Sequence, residues 1–273
     1  MRTRFKLVSY ASFLCLITGL HPSLWAHQDV AVNSDNSVPT LQFLHEEYPP
    51  YVYQKDGVVF GAVVDLTADI VGRAGFALNW RSSAYRRLIR ELQLSDKPLC
   101  ATAYSGQHKE VYDVLASEQF AWFPGSALAI RKSDIHLFEK HRSIANILSD
   151  TSLRGAFLMG AQYIGVDEDV RAGRVERHIL IGSSDVELGL LVARGRVHFA
   201  VINPDQTNYL MTEVPSASNL TVYRATGMAP PRKVGFICSK ATGAETMQRL
   251  NEAIEPLPAY NVWVQGIKKA TPK

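Results

Sequence analysis

The side chains most able to do acid–base chemistry lie in two short stretches of the sequence. Glu46 and Glu47 follow one apolar, strand-like segment, and His108, Lys109 and Glu110 follow another. Brought to one cleft, these groups would be able to transfer protons to and from a substrate. Acid–base catalysis at such a cleft is the less favoured hypothesis.

No nucleophile elbow or metal-ligand spacing is found in the sequence. Pro124–Leu128 lacks the second glycine of the Gly-x-Ser-x-Gly elbow that many serine hydrolases use. The histidines show neither the His-x-x-x-His nor the Glu-x-x-His spacing that is typical of a metal site. We therefore predict a protein that is not an enzyme and that needs no metal and no cofactor.

The composition allows one large hydrophobic core or two modest ones, and it argues against nucleic-acid binding. The chain has 273 residues, of which 47% are hydrophobic, and its formal net charge is +3. Nucleic-acid binding needs a dense patch of Lys and Arg to neutralise phosphates, and the sequence has no such run. Arg86, Arg87 and Arg90 follow a helical spacing that is typical of a solvated helix face.

The first 26 residues have the features of a secretory signal peptide. Arg2, Arg4 and Lys6 form a positive start, residues 7–20 are uncharged and mainly apolar, and Ala26 suits a signal-peptidase site. The apolar stretch is shorter than the ~20 residues that a membrane span needs. We predict cleavage after Ala26 and a soluble, monomeric protein in the periplasm.

Cys100 and Cys238 remain after the predicted cleavage. An even pair of cysteines in an oxidising compartment favours a disulfide. Both residues lie in apolar, strand-like stretches, however, where free cysteines are often simply buried. The sequence leaves both alternatives open, because it does not say whether the two Cα atoms approach within ~7 Å.

Short strands alternate with helices along the chain. The pattern predicts helices at Tyr85–Leu94 and Thr242–Leu257, and another that begins at Ser183 or Ser184. The strands predicted between and around these helices lie at residues 40–44, 76–80, 99–103, 157–159, 178–181 and 197–202. Such alternation predicts an α/β protein with parallel strands, and the length fits two units of about a hundred residues each.

A series of short motifs runs through most of the chain after the predicted signal peptide. The motifs are Glu47–Tyr51, Asp56–Gly57, Gly61, Asp65–Leu66, Ser105, Ser117, Phe120, Ala127–Lys132, Gly195–Val201 and Val234–Lys240. In order and spacing this series resembles the family-3 periplasmic solute-binding proteins, whose best-known members feed amino-acid ABC transporters. The part from Glu47 to Leu66 is the most specific.

The resemblance implies a two-lobed architecture of the periplasmic binding protein type II, in which each lobe is a βαβ-type sheet flanked by helices. Two crossing strands join the lobes. Residues 27–127 and 241–273 are expected to form the first lobe, and residues 128–240 the second. A small polar ligand, amino-acid-like or related, would be captured between the lobes by hinge closure and delivered to an ABC permease.

The resemblance also implies ligand contacts from both lobes. Tyr48 matches an aromatic residue that covers the ligand, and Tyr51 and Ser105 lie in matching segments of the first lobe. In the second lobe, Gln162 and Tyr163 lie at a predicted helix start, where free backbone N–H groups favour an anion. A plain strand-to-helix turn explains that second segment equally well.

Both charged groups with which the family binds an amino acid are altered here. The family's carboxylate-binding arginine is absent: Lys109 is the nearest cation, and ungapped counting places Glu110 at the arginine's position. The family's acidic residue for the ligand amine falls at the neutral Asn203, with Asp205 as a candidate substitute. We therefore expect Lys109 and Asn203 to contact a ligand whose class these changes leave open.

Two other functions stay open beside ligand capture. Some relatives with this fold are dehydratases, so a cleft enzyme is the first alternative. A periplasmic sensor or accessory protein that docks on a membrane partner is the second. The binding protein would capture a ligand without turnover, the enzyme would release a product, and the accessory protein would bind a partner without a small ligand.

Overall fold

The computed structural model describes residues 38–106, 108–159, 161, 163, 166, 178–181, 184–257 and 260–261. The predicted signal peptide at residues 1–26 and the predicted ligand contact Gln162 lie outside the described residues.

The described part of the chain alternates strands and helices. The strands are β1 (Thr40–His45), β2 (Tyr53–Lys55), β3 (Val58–Phe60), β4 (Ala77–Ser82), β5 (Leu99–Tyr104), β6 (Leu115–Phe123), β7 (Ala127–Arg131), β8 (Gly155–Leu158), β9 (Ile179–Ile181), β10 (Phe199–Ile202), β11 (Leu220–Tyr223), β12 (Arg232–Cys238) and β13 (Tyr260–Asn261). The helices are α1 (Val64–Arg73), α2 (Tyr85–Leu94), α3 (His108–Tyr112), α4 (Ile135–Phe138), α5 (Ile144–Ser149), α6 (Asp185–Ala193), α7 (Pro204–Glu213) and α8 (Gly243–Ile254).

The strands form two mixed sheets and a small hairpin. The six-stranded sheet has the order β13-β6-β12-β5-β1-β4, and the five-stranded sheet has the order β11-β7-β10-β8-β9. In the first sheet β1 is parallel to β4 and β5, and in the second β8 is parallel to β9 and β10. Strands β2 and β3 form a two-stranded sheet with each other. The predicted α/β class is therefore confirmed.

The chain crosses between the two sheets twice. It leaves the six-stranded sheet after β6 and enters the five-stranded sheet at β7, and it returns between β11 and β12. Strand β12 pairs with β5 and β6, so residues 232–238 belong to the six-stranded sheet. The predicted lobe boundary at residue 240 lies beyond this return.

Local sequence signals account for the helices that flank the sheets. Helix α2 has the predicted bounds, and its Leu88 and Leu92 are buried because residues at this spacing share one face. Helix α6 begins after Ser184, whose hydroxyl accepts a hydrogen bond from the backbone N–H of Glu187. Helix α7, which the sequence analysis did not predict, begins at Asn203-Pro204: the Asn203 side chain caps it and Pro204 occupies its first turn.

Cys100 and Cys238 form a disulfide between the neighbouring strands β5 and β12. Both residues are fully buried in the hydrophobic core that backs the six-stranded sheet, with Phe43, Phe236 and Leu250. The bond connects two residues that are 138 positions apart in the sequence.

None of the helices in the described segments is long and apolar enough to cross a membrane.

The two crossing segments lie against each other at Gly125. The backbone N–H of Ser126 donates to the carbonyl of Ala229 at 3.0 Å, and the Ser126 hydroxyl accepts from the backbone N–H of Ala229 at 3.0 Å. A Cβ atom on Gly125 would lie 2.0 Å from the Ala229 carbonyl oxygen. Only glycine therefore fits where the two segments meet.

We expect Gly125→Ala to lower the free energy of unfolding by about 1–3 kcal/mol, because the added methyl group overlaps backbone that has little room to shift. Gly72→Ala is the matched control: a Cβ at this exposed position in α1 meets no atom within 4 Å, so helix propensity should leave stability equal or slightly higher. Urea unfolding curves measure both changes. Equal stability of the two variants would contradict the proposed close contact.

Candidate functional site

A cavity of about 120 Å³ lies between the two sheets. It lies at the carboxyl ends of several parallel strands, which is where ligands bind in open α/β sheets. Strands β1 and β5 lead into it on one side, and β8 and β10 on the other. The polar residues that line it are His45, Glu46, Tyr48, Tyr85, Thr102, Tyr104, Ser105, His108, Ser126, Tyr163, Asp185, Asn203 and Arg232.

Two hydrogen bonds join the two sides of this cavity directly. The hydroxyl of Tyr51 donates to Oδ2 of Asp205 at 2.6 Å, and both residues are buried. Nδ2 of Asn203 donates to the hydroxyl oxygen of Tyr48 at 3.0 Å. The same Asn203 accepts from the backbone N–H of Gln206, so the start of α7 is fixed while its side chain reaches across.

Stacked aromatic rings form one wall beside these bonds. The Tyr51 ring lies 4.2 Å from that of Phe123, and the Tyr48 ring lies 5.2 Å from that of Tyr51. Rings at such distances add attraction beyond the apolar area that they bury. The wall therefore holds the Tyr48 ring, which lines the cavity, in a defined orientation.

Arg232 is a cation of the cavity wall whose guanidinium makes no hydrogen bond or ion pair with any described residue. It is the first residue of β12 and is half-buried, next to the crossing residues Ser126 and Ala229. A guanidinium offers five N–H donors in a planar fork that matches a carboxylate. Its placement suits it to bind an anionic group of a ligand.

Two carboxyl groups, Glu46 and Asp185, reach the cavity from opposite sides. Oε1 of Glu46 accepts a hydrogen bond of 3.3 Å from Tyr104. Burial raises the pKa of Glu46 well above its ordinary value, and the charge of Asp185 raises it further. Burial also raises the pKa of Asp185 to about 7, although the Gln206 amide and Arg232 favour its charged form.

Gln206 lies close to Asp185 without reaching hydrogen-bonding geometry. Its side-chain nitrogen and oxygen are both buried and have no hydrogen-bond partner among the described residues. Buried amides are normally paired, because an unmade hydrogen bond costs free energy. The Gln206 amide nitrogen and oxygen and the Asp185 carboxylate thus have no hydrogen-bond partner among the described residues beside the cavity.

His108 contributes a neutral imidazole to the wall. Its Nδ1 lies 2.9 Å from the carbonyl oxygen of Ser105, which only accepts, so Nδ1 carries the proton. The Ser105 hydroxyl oxygen lies 3.0 Å from the same protonated nitrogen and accepts from it. His108 therefore does not act as a base toward the Ser105 hydroxyl. Burial lowers the pKa of His108, which keeps the ring neutral near pH 7.

Most of the predicted ligand contacts lie together in the structure. Tyr48, Ser105, Tyr163 and Asn203 line the cavity. Tyr51 lies directly behind Tyr48 and supports it. Of the remaining two predicted contacts, Gln162 is outside the described residues, and Lys109 is exposed on α3 away from the cavity.

Lys109 lies outside because successive residues of a helix point about 100° apart, and His108 is the one that faces inward. The charged groups that the structure places in the cavity are Glu46, Asp185 and Arg232. Glu46 was named from the sequence as an acid–base candidate only, and Asp185 and Arg232 were not selected. Their positions were the available signal. Arg232 is the first residue of β12, directly after the chain returns from the five-stranded sheet, and Asp185 is the first residue of α6, shortly after the carboxyl end of β9. Asp205, the candidate substitute for an amine-binding acid, is occupied by Tyr51.

No group of three or more His, Cys, Asp or Glu side chains in the described ranges is arranged to hold a metal ion.

Comparison with known proteins identifies the fold. No family model matches the chain, and no curated protein matches it. The arginine-bound form of truncated ArgBP from T. maritima matches with a TM-score of 0.62 and 17% identity, over 81% of this chain and 96% of that one. A histidine kinase sensor domain with similarity to periplasmic binding proteins matches with a TM-score of 0.62 and 17% identity, over 80% and 89%.

A third similar structure is the ancestral amino acid-binding protein AncCDT-1, a precursor of cyclohexadienyl dehydratase. It matches with a TM-score of 0.60 and 16% identity, over 79% of this chain and 88% of that one. At this identity the three matches describe architecture and not activity. The chain has the α/β fold of the type II periplasmic binding proteins.

Removing the charge of Asp185 should stabilise the protein at alkaline pH. Its pKa in the folded protein is about 7 and its ordinary value is 3.8, so folded protein holds a proton between these values that unfolded chain releases. The free energy of unfolding therefore falls as pH rises through this window. We expect Asp185→Asn to raise it by on the order of 2–4 kcal/mol at pH 8 and to change it little near pH 4.

Glu110→Gln is the matched control, because it removes an exposed carboxylate on α3. Chemical denaturation at pH 4, 6 and 8 measures both variants. A stability difference between Asp185→Asn and the unaltered protein that does not change with pH would contradict the assigned pKa.

Proposed function

We propose that this protein captures a small polar, amino-acid-like molecule between two lobes in the periplasm and delivers it to an ABC permease in the inner membrane. In this proposal the residues around each sheet form one lobe, and the protein acts as a monomer without a cofactor. The observation that carries the proposal is the cavity between the sheets, whose wall includes the Arg232 guanidinium with no partner among the residues that the structure describes.

Closure of the lobes on the ligand is the proposed mechanism. A ligand that contacts Tyr48 and Arg232 on one side and Tyr163 on the other satisfies all three only when the sheets are close together. Such a ligand binds the closed form better, so it shifts the population toward that form. The Tyr51–Asp205 and Asn203–Tyr48 hydrogen bonds stabilise the closed arrangement further.

A cleft enzyme is the second candidate, and the raised pKa values favour it. Glu46, Asp185 and the neutral His108 share the cavity, and a carboxyl group with a pKa near 7 can donate or accept a proton at neutral pH. Ligand capture is preferred, because Ser105 lacks an activating base and these groups also form a recognition surface without any reaction.

A thermal-shift screen of the mature protein against amino acids, polyamines and small organic acids tests the proposal. A ligand at a hundredfold excess over its Kd adds ~2.7 kcal/mol of stability, which raises Tm by several degrees. Each hit is then recovered after incubation and analysed by mass spectrometry: unchanged ligand supports capture, and conversion to a product supports the enzyme. A folded sample with no hit in any class would count against both.

Tyr48→Ala should weaken binding of the hit by about tenfold or more, because it removes both the ring that lines the cavity and the hydroxyl that Asn203 contacts. Tyr53→Ala is the control, since Tyr53 lies on the nearby hairpin and packs against Phe60 and Tyr209 outside the cavity. Isothermal titration calorimetry measures both. Equal affinities for the two variants would remove Tyr48 from the site.

Arg232→Gln should abolish measurable binding of ligands that carry a carboxylate, because no other cation among the described residues lines the cavity. Lys233→Gln removes the same charge from the next position of β12, where the side chain is exposed and lies over Trp122. It should leave the Kd within about twofold. If Lys233→Gln weakened binding as much as Arg232→Gln, the effect would be one of net charge and not of the cavity.

A further inference from the structure

We propose that the ligand carries a cationic nitrogen, an ammonium or guanidinium, that is bound between Glu46 and Asp185, and that repulsion between these two carboxylates opposes closure until the cation arrives. This inference rests on the proposed function and names the charge that the site selects. It also assigns to one pair of residues both ligand recognition and control of closure.

The charges around the cavity do not balance among themselves. Glu46 and Asp185 each carry a carboxyl group, and Arg232 is the only lasting positive charge in the described wall. Neither carboxyl group forms an ion pair with a described residue. A ligand carboxylate bound to Arg232 would leave both carboxylates without a counter-ion, and a ligand cation supplies one.

The other titratable groups that face the pair do not provide this charge. Burial raises the pKa values of Tyr48, Tyr85 and Tyr104, so these hydroxyls stay neutral, and it lowers those of His45 and His108. Neutral imidazoles and phenols hydrogen-bond to a carboxylate or a cation without changing the net charge. The titratable and charged groups that line the described cavity with the pair are His45, Tyr48, Tyr85, Tyr104, His108, Tyr163 and Arg232.

The position that the family resemblance assigns to the ligand amine is neutral in this chain. Asn203 uses its side chain to cap α7 and to reach Tyr48. Asp205, two residues later, accepts a short hydrogen bond from Tyr51. Since both are occupied, Glu46 and Asp185 are the acidic groups that remain for a ligand cation within the described cavity.

The two carboxyl groups lie on opposite sides of the opening. Glu46 directly follows β1 of the six-stranded sheet, and Asp185 begins α6, which packs against β7, β8 and β10 of the five-stranded sheet. Bringing the sheets together therefore brings two like charges together in a poorly solvated space. Protonation, or a cation between them, removes this repulsion.

Binding of three probes to the mature protein tests the recognition part. Arginine has two cationic groups, glutamine has one, and glutarate has none. We expect Glu46→Gln and Asp185→Asn each to weaken binding of arginine and glutamine by ~tenfold or more and to leave glutarate unweakened. Glu110→Gln, which removes an exposed carboxylate outside the cavity, should change no Kd by more than about twofold.

Two calorimetric results would overturn the inference while the proposed function stands. One is unchanged binding of arginine and glutamine by Glu46→Gln and Asp185→Asn. The other is glutarate binding to the unaltered protein as tightly as glutamine does. If no probe binds any of the proteins, the proposed function and the recognition part lose support together, and the measurement without ligand decides the role in closure.

That second measurement is small-angle X-ray scattering of the unliganded proteins at pH 5 and pH 8. At pH 8 we expect Glu46→Gln and Asp185→Asn to have a smaller radius of gyration than the unaltered protein and Glu110→Gln. At pH 5 the four values should converge, because the raised pKa values of Glu46 and Asp185 then favour the neutral carboxyl groups over the charged ones. Four equal radii at pH 8 would overturn the role in closure, and circular dichroism verifies that every variant is folded.

Discussion

The arrangement of the cleft depends on the hydrogen bond between Tyr51 and Asp205. This bond connects a loop that follows β1 with the first turn of α7, and both of its partners are buried. Burial of the Asp205 carboxylate is costly unless a donor compensates it, and the Tyr51 hydroxyl supplies that donor. Because Tyr51 also stacks on Phe123 and contacts the Tyr48 ring, this hydrogen bond links the aromatic wall to α7 of the other sheet beside the cavity.

Within this frame the cavity keeps its charges unneutralised. Arg232 has no partner in the described structure, and Glu46 has only the Tyr104 hydroxyl. A protein interior would normally pair such groups, since each unpaired charge reduces stability. A ligand of matching charge, as proposed above, would supply the missing partners. The site is thus poorly suited to be an ordinary part of the core and well suited to bind a molecule with separated charges.

The sequence predicted the parts of this structure that local rules determine. The buried positions of α2 follow the helical period, Ser184 caps α6, and the α/β class follows from alternating elements. Tyr48 and Asn203 were predicted through a family resemblance and do line the cavity. Arg232 and Asp185 were missed for physical reasons. An acid in the first turn of a helix, such as Asp185, is already explained by its favourable interaction with the helix dipole. Arg232 lies at the start of a strand and reaches the cavity only because the chain crosses between the sheets twice.

The disulfide between Cys100 and Cys238 closes a covalent loop that contains about half of the chain. Every strand of the five-stranded sheet lies between these two cysteines in the sequence, so that whole sheet is a loop closed at its base by one bond. The loop's ends stay together even when its interior loosens, which limits the conformational entropy that local unfolding can gain. A single peptide-bond break anywhere inside the loop would leave one covalent molecule, so the five-stranded sheet would stay attached after a cut that would divide an unlinked chain.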